Sequence, residues 1–284
     1  MLLWTLGCVI FTCISCTQGR CHCNELTVHY DELGCTPVYV NQHDCCPVYY
    51  NCTEFESRQN GRKCYFSGAT YSPGQRVNEM RLTSPCFQKC KCDGVGSVNF
   101  KCSHRRCTEE VPEHGCFLKY RTDSCCSLGS ACVPFNATET CFDGDRVSLE
   151  GEKYTPPDVP CTDCICERPQ SGTGLHLVCK RKYCATDLVH AENARQNCAP
   201  IYDEQHSCCP TNWKCPQSAD QIVPAKNRML QTNAFCRYGN MNLHVGDTIN
   251  GLTIEIDNLK CECRVPPFVT CMRKHTTTDD LGDK

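Results

Sequence analysis

Cysteine returns along this chain in a fixed series of intervals, and that series limits the fold more than any other feature. One run reads Cys64, Cys86, Cys90, Cys92, Cys102, Cys107, Cys116, Cys125, Cys126 and Cys132. A second reads Cys141, Cys161, Cys164, Cys166, Cys179, Cys184, Cys198, Cys208, Cys209 and Cys215. Both share a C-x-C, a C-x4-C, a vicinal pair and a last cysteine after five intervening residues, in the same order. Repetition of several intervals together marks an internal repeat. The flanks are partial copies. Cys35, Cys45, Cys46 and Cys52 reproduce the end of the pattern, and Cys236, Cys261, Cys263 and Cys271 its beginning. Gly74, Gly151 and Gly246 each stand ten positions after the first cysteine of their copy, with Val77, Tyr154 and Ile249 three later. A turn using positive φ, leading into a strand, is the expectation there.

The chain holds 33 cysteines in 284 residues, about 12%, a density typical of disulfide scaffolds. Without cysteine, apolar residues amount to only about 28%, too few for one large core, and small core-poor domains need covalent staples. That many thiols would stay reduced in a cytosol, so the compartment matters. Leu2 to Ile14 is a short uncharged apolar run followed by a polar stretch, with small residues at Thr17 and Gly19. It has the length of a signal-peptide core rather than of a spanning helix, although its n-region lacks Lys and Arg. The expectation is a signal peptide at residues 1–19 and a secreted, extracellular product; the alternative is a buried N-terminal strand or helix. Cleavage would remove Cys8, Cys13 and Cys16 and leave 30, an even number. Asn51-Cys-Thr and Asn136-Ala-Thr are N-glycosylation sequons. The formal net charge of −3 gives no general reason to expect nucleic acid or a membrane surface as partner.

Cys64-x3-Gly68-x2-Tyr71-x2-Gly74, the C-x-C of Cys90 and Cys92, and the Cys125-Cys126 to Cys132 ending together resemble the von Willebrand factor type C module, the chordin-like cysteine-rich repeat. The resemblance covers residues 64–132 and 141–215 fully, 20–52 as a C-terminal subdomain and 236–271 as an N-terminal subdomain, with a polar tail at 272–284. Cys86-x3-Cys90 departs from the family's C-x2-C, which Cys161 and Cys164 keep. The resemblance implies a small disulfide-rich, mainly β fold: tandem two-subdomain modules in an extended array. It also implies a pairing. In the third repeat Cys141 would join Cys166, Cys164 join Cys179, Cys161 join Cys208, Cys184 join Cys209, and Cys198 join Cys215. The last copy would close as Cys236–Cys263 and Cys261–Cys271, with Asn258 at the place of the inter-subdomain cysteine. The first would hold Cys35–Cys52, with Cys46 bonded to Cys21 or Cys23 and Cys45 to the other. The cysteine-free stretches Thr53 to Lys63, Val133 to Thr140 and Pro216 to Phe235 read as linkers, the last long enough to flex.

Close-spaced cysteines could instead bind zinc, with His22 nearby. A secretory signal and doubled vicinal pairs argue against this, since adjacent cysteines rarely ligate one tetrahedral ion together. Asp143-Gly-Asp145 lacks the remaining ligands of a calcium loop and reads as a turn. No G-x-S-x-G, H-E-x-x-H or P-loop motif occurs, so no enzyme activity, cofactor or metal is expected. The slot between the fifth and sixth cysteines is basic twice, with Arg105 and Arg106, then Lys180, Arg181 and Lys182; Arg273-Lys274-His275 follows Cys271. One cationic patch per module would suit a sulfated glycosaminoglycan through multivalency, against the plainer reading of solvated surface charge. Such modules commonly bind growth-factor dimers, so the resemblance implies a secreted protein that sequesters or presents ligands of the transforming growth factor-β and bone morphogenetic protein class. The rivals are a structural or adhesive matrix component and a defence or protease-inhibitory protein.

Overall fold

The computed structural model describes residues 26–273 apart from 42, 59–62, 95–97, 133–139, 158, 160, 170–172, 204–207, 227–233, 252–253 and 255–256. The fold is mainly β and disulfide-rich. Most strands are three or four residues long, and no α-helix among the described residues exceeds five residues. Ladders this short are marginal in water by themselves, so cross-links carry the local structure.

The same small frame is built three times. A leading hairpin, Cys64–Phe66 with Ala69–Tyr71, Cys141–Asp143 with Arg146–Ser148, or Cys236–Tyr238 with Met241–Leu243, precedes a second antiparallel pair. In that second pair a disulfide staples two opposed strands: Cys90–Cys102, Cys164–Cys179 and Cys261–Cys271, with Cα atoms 3.9, 4.0 and 3.9 Å apart. The first cysteine of each copy ties the leading hairpin down through Cys64–Cys92, Cys141–Cys166 and Cys236–Cys263. The repeat glycine then turns at φ 92°, 83° and 93°, and its N–H donates to the carbonyl of Cys92, Cys166 or Cys263. A side chain is strained at such φ, which explains glycine there. Tyr154 and Ile249 enter strands, as the spacing predicts, whereas Val77 is buried beside an isolated bridge at Arg76 and starts no strand.

The extra residue of Cys86-x3-Cys90 has a local solution. Gln88 pairs with Ser103 and Lys91 with Lys101, so three steps on one strand face two on the other. This is a β-bulge with Lys89 at φ 50°, and the register beyond it is kept. Cys161 has φ 65°, and Asn258, which stands at its position in the last copy, keeps the conformation at φ 50°. Asparagine enters this left-handed region more readily than most residues.

The C-terminal subdomains close through Cys107–Cys126 and Cys116–Cys132 in the second repeat, and Cys184–Cys209 and Cys198–Cys215 in the third. One bond joins the subdomains in each, Cys86–Cys125 and Cys161–Cys208. Cys35–Cys52 closes the first segment. Cys45 and Cys46 are disulfide-bonded too, while their expected partners Cys21 and Cys23 lie outside the described residues.

The modules are tandem in sequence and interlocked in space. A six-stranded sheet runs Asn212–Lys214, Ala199–Asp203, Thr270–Arg273, Leu259–Glu262, Thr248–Asn250, Gln221–Val223, joining the third repeat to the last copy. The join is a parallel pair, Ile201 opposite Cys271. The stretch expected to flex contributes the edge strand Gln221–Val223, and buried Asp220 pins it by accepting from Lys214 Nζ, Gln217 N and Tyr238 Oη. Likewise Thr53–Ser57 is helical, with Phe55 buried. Residues 272–273 belong to strand Thr270–Arg273, and the rest of the tail lies outside the described residues.

The chain's first segment packs on its last. Tyr30, Tyr50 and Phe55 share an apolar cluster with Ala194 and Trp213 of the third repeat and Val265 and Phe268 of the last copy. Tyr30 Oη donates to the Val265 carbonyl (2.5 Å) and accepts from the Phe268 amide (3.0 Å). The Tyr50 amide donates to the Pro266 carbonyl, and Arg237 pairs with Glu56. Another cluster sets Phe66 and Phe100 of the second repeat against Ala185 and Leu188 of the third. With few apolar residues per module, burial is pooled where modules meet, because a module this small buries too little alone.

His29 is wholly buried in the first junction, with Nδ1 2.7 Å from Tyr202 Oη. Burial lowers its pKa from 6.5 to about 3. The unfolded chain therefore takes up this proton below pH 6.5 while the fold refuses it, so the contribution of neutral His29 is full above 6.5 and shrinks toward pH 3. Asp187, raised to about 6 mainly by burial, works in the opposite direction. The test is a comparison of unfolding without reductant in the parent and His29→Gln proteins. The stability difference between them should fall by about 2 kcal/mol from pH 6.5 to 5; a pH-independent difference contradicts the reading.

Candidate functional site

The basic residues of the third repeat lie on and just beyond strand His176–Arg181, whose neighbour carries Asp163 directly opposite Lys180. Lys182 Nζ lies 3.3 Å and Lys153 Nζ 3.0 Å from the Asp163 carboxylate. Burial disfavours that carboxylate's charge, but the Lys153 hydrogen bond and charge, Thr155 and Lys182 outweigh it and hold the pKa below the ordinary value. Arg181 pairs with Asp31 of the first segment at 2.5 Å. Lys180 Nζ reaches across to the Thr122 carbonyl of the second repeat at 3.4 Å. Arg121, beside it, is paired with Asp123. These cations line a groove of about 320 Å³ between the second and third repeats.

The walls of the groove are held together. Thr122 donates from both its amide (2.8 Å) and its hydroxyl (2.6 Å) to Glu167, a carboxylate only 8% exposed. The Tyr120 amide donates to the Gly151 carbonyl. The structure thus gathers Lys180, Arg181 and Lys182 with Arg121 and Lys153, which the repeated spacing does not single out. Those two come from unrelated positions in two repeats, and only inter-repeat packing brings them in. Arg105 and Arg106 are exposed beside Cys107 and do not line the groove. Arg273 is half-buried, and Lys274 and His275 lie outside the described residues.

The third repeat also presents apolar surface. Phe142 and Val147 are directly opposed on the leading hairpin, 69% and 52% exposed. The matching pairs elsewhere differ: Tyr65, opposite Thr70, lies under the Arg58 guanidinium, and Arg237 faces Asn242. The Asp143-Gly-Asp145 stretch is the tight turn of this hairpin, Asp143 pairing with Arg146 and Gly144 at φ 57°.

Of the sequons, Asn51 is exposed at the end of strand Tyr49–Asn51, and its Oδ1 accepts from the Thr53 amide and hydroxyl. Asn136 lies outside the described residues, as does His22. Three sulfurs meet at Cys107, Cys125 and Cys126, and again at Cys184, Cys208 and Cys209. All six belong to disulfides, and a metal would require thiolates.

Set beside known proteins, the chain is 23% identical over 202 residues to the mouse (Mus musculus) cysteine-rich motor neuron 1 protein, covering 66% of this chain and 17% of that one. It is 28% identical over 104 residues to the mouse von Willebrand factor C and EGF domain-containing protein, covering 36% of this chain and 9% of that one. The likeness is to cysteine-rich proteins of the von Willebrand factor C kind. It is low and partial, and the chain spans less than a fifth of the length of either relative. No family model and no solved structure matches. Among the described residues no helix is long and apolar enough to cross a membrane.

Proposed function

We propose that this chain is a secreted, non-enzymatic binding protein that sequesters or presents growth-factor dimers of the transforming growth factor-β and bone morphogenetic protein class. The observation that carries this reading is the exposed Phe142–Val147 pair. It stands on a hairpin fixed by Cys141–Cys166, directly after the Val133 to Thr140 segment. An apolar pair on a stapled hairpin loses little conformational entropy on binding. A disulfide frame of this density belongs to an oxidising compartment, which supports secretion after removal of residues 1–19.

The matrix-component reading draws on self-association through the two half-modules. In this chain they pack on each other, so those faces are already occupied. The inhibitor reading has no reactive-loop feature in its favour. Beside the growth-factor face, the inter-repeat groove is proposed to hold the protein on sulfated glycosaminoglycan.

Two measurements check the proposal. Against a panel of growth-factor dimers, the full chain should capture at least one at micromolar concentration, and Phe142→Ala with Val147→Ala should weaken that capture about tenfold or more. Absence of binding, with multimers on sizing, favours the matrix reading. On immobilised heparin, Lys180→Ser with Lys182→Ser should elute at lower salt than Arg105→Ser with Arg106→Ser. Equal elution of both with the parent contradicts a role for the groove.

A further inference from the structure

The vicinal cysteines place two disulfides side by side in each complete repeat. In the second repeat, Cys125 carries the single inter-subdomain bond to Cys86, while Cys126 is bonded to Cys107. Cys107 Sγ lies 3.8 Å from Cys125 Sγ, so a sulfur of one bond touches a sulfur of the other. The third repeat has the same arrangement, with the sulfurs of Cys184, Cys208 and Cys209 all within 4.8 Å of one another. Cys86 and Cys125 line the inter-repeat groove from one side and Cys209 from the other, among its lysines and arginines. Cys107 is exposed, and two arginines precede it. By contrast Cys64, Cys90, Cys92, Cys164 and Cys166 are essentially inaccessible, at 0–1%.

Thiol–disulfide exchange requires an attacking thiolate, access to the sulfur and a leaving thiolate; nearby cations favour both thiolates. The groove supplies access and positive charge at the one bond that couples the subdomains. We propose that it is a thiol–disulfide exchange site, where a small anionic thiol of the glutathione class swaps the pairing of Cys86, Cys107, Cys125 and Cys126.

The sequence of steps conserves electrons and needs the thiol only as catalyst. The incoming thiolate attacks Cys86 Sγ, forms a mixed disulfide there and expels Cys125 as thiolate. Cys125 attacks Cys107 Sγ, forming Cys107–Cys125 and expelling Cys126 as thiolate. Cys126 then attacks Cys86 Sγ, forming Cys86–Cys126 and returning the small thiol. While the mixed disulfide lasts, no bond joins the two subdomains of the second repeat, and the coupling cysteine then moves by one residue. Thiol supply outside the cell would thereby set the rigidity of the second repeat.

The test treats the native, full-length secreted protein with reduced glutathione at neutral pH. Aliquots are quenched with N-ethylmaleimide and mapped by mass spectrometry without reduction. The glutathione adduct should appear first on Cys86 and N-ethylmaleimide first on Cys125 and Cys126, together with a Cys86–Cys126 peptide. Glutathione should outpace cationic cysteamine roughly tenfold at low salt, and added salt should narrow the gap. The pair Lys180→Gln and Lys182→Gln, which leaves every cysteine in place, should bring the two thiols together. Simultaneous labelling of Cys64–Cys92 or Cys90–Cys102 would mean that exchange follows general unfolding, and overturns the proposal. Equal rates for glutathione and cysteamine in the parent protein also overturn it.

Discussion

Tyr30 ties the beginning of the chain to its end through a hydroxyl shared between the Val265 carbonyl and the Phe268 amide. Its ring stacks on Tyr50, with centroids 4.3 Å apart, and packs on Phe268. Once it is seated, the neighbouring residues of Val28–Glu32 are committed. His29 enters a cage of Tyr202, Trp213 and Phe268, and Glu32 accepts from the Cys184 and Thr186 amides at the start of a short helix. That helix carries Leu188, which fills the cluster against the second repeat. A single docking event thus connects the first segment, both complete repeats and the last copy. Removing the hydroxyl would leave two buried backbone groups unpaired, at a cost of about 1–3 kcal/mol each.

Division of labour between covalent and non-covalent forces explains the architecture. Disulfides act inside a repeat, where strands of three or four residues cannot hold themselves. Apolar packing acts between repeats, where side chains from several modules can be pooled. The groove between the second and third repeats falls on the boundary of the two regimes. Its walls are set by the contacts of Thr122 with Glu167 and of Tyr120 with Gly151, and disulfide-bonded cysteines of both repeats line it. Its surface is cationic because strand His176–Arg181 runs into Lys182 while Arg121 and Lys153 approach from elsewhere in the two repeats.

What the sequence reveals follows the same division. Cysteine intervals are local and repeat, so the frame, the turn at Gly74, Gly151 and Gly246, and the basic slot can all be read from spacing. Even the extra residue before Cys90 announces an irregularity, although its form as a bulge at Lys89 depends on strand pairing. The junctions carry no such periodic signal. Tyr30, Trp213 and Phe268 are single aromatic residues far apart in sequence, and nothing in their spacing says that they touch. The edge strand Gln221–Val223 hides in a polar stretch for the same reason, because its pairing partner lies in another module. Of the candidate site, Lys180 to Lys182 are legible as a charge run and Asp143-Gly-Asp145 as a turn; the exposure of Phe142 and Val147 and the company of the cations depend on packing.

The two half-modules close on each other within one chain, and a directed cut tests this most simply. A specific protease site placed within residues 59–62 allows the first segment to be severed from the rest after folding. No disulfide among the described residues joins the segment before the cut to the chain after it. Closure through Tyr30, Tyr50 and Phe268 predicts that the severed segment co-elutes with the rest in native buffer. Denaturant without reductant should then release it. Separation of the two pieces in native buffer immediately after cutting would contradict the closed arrangement.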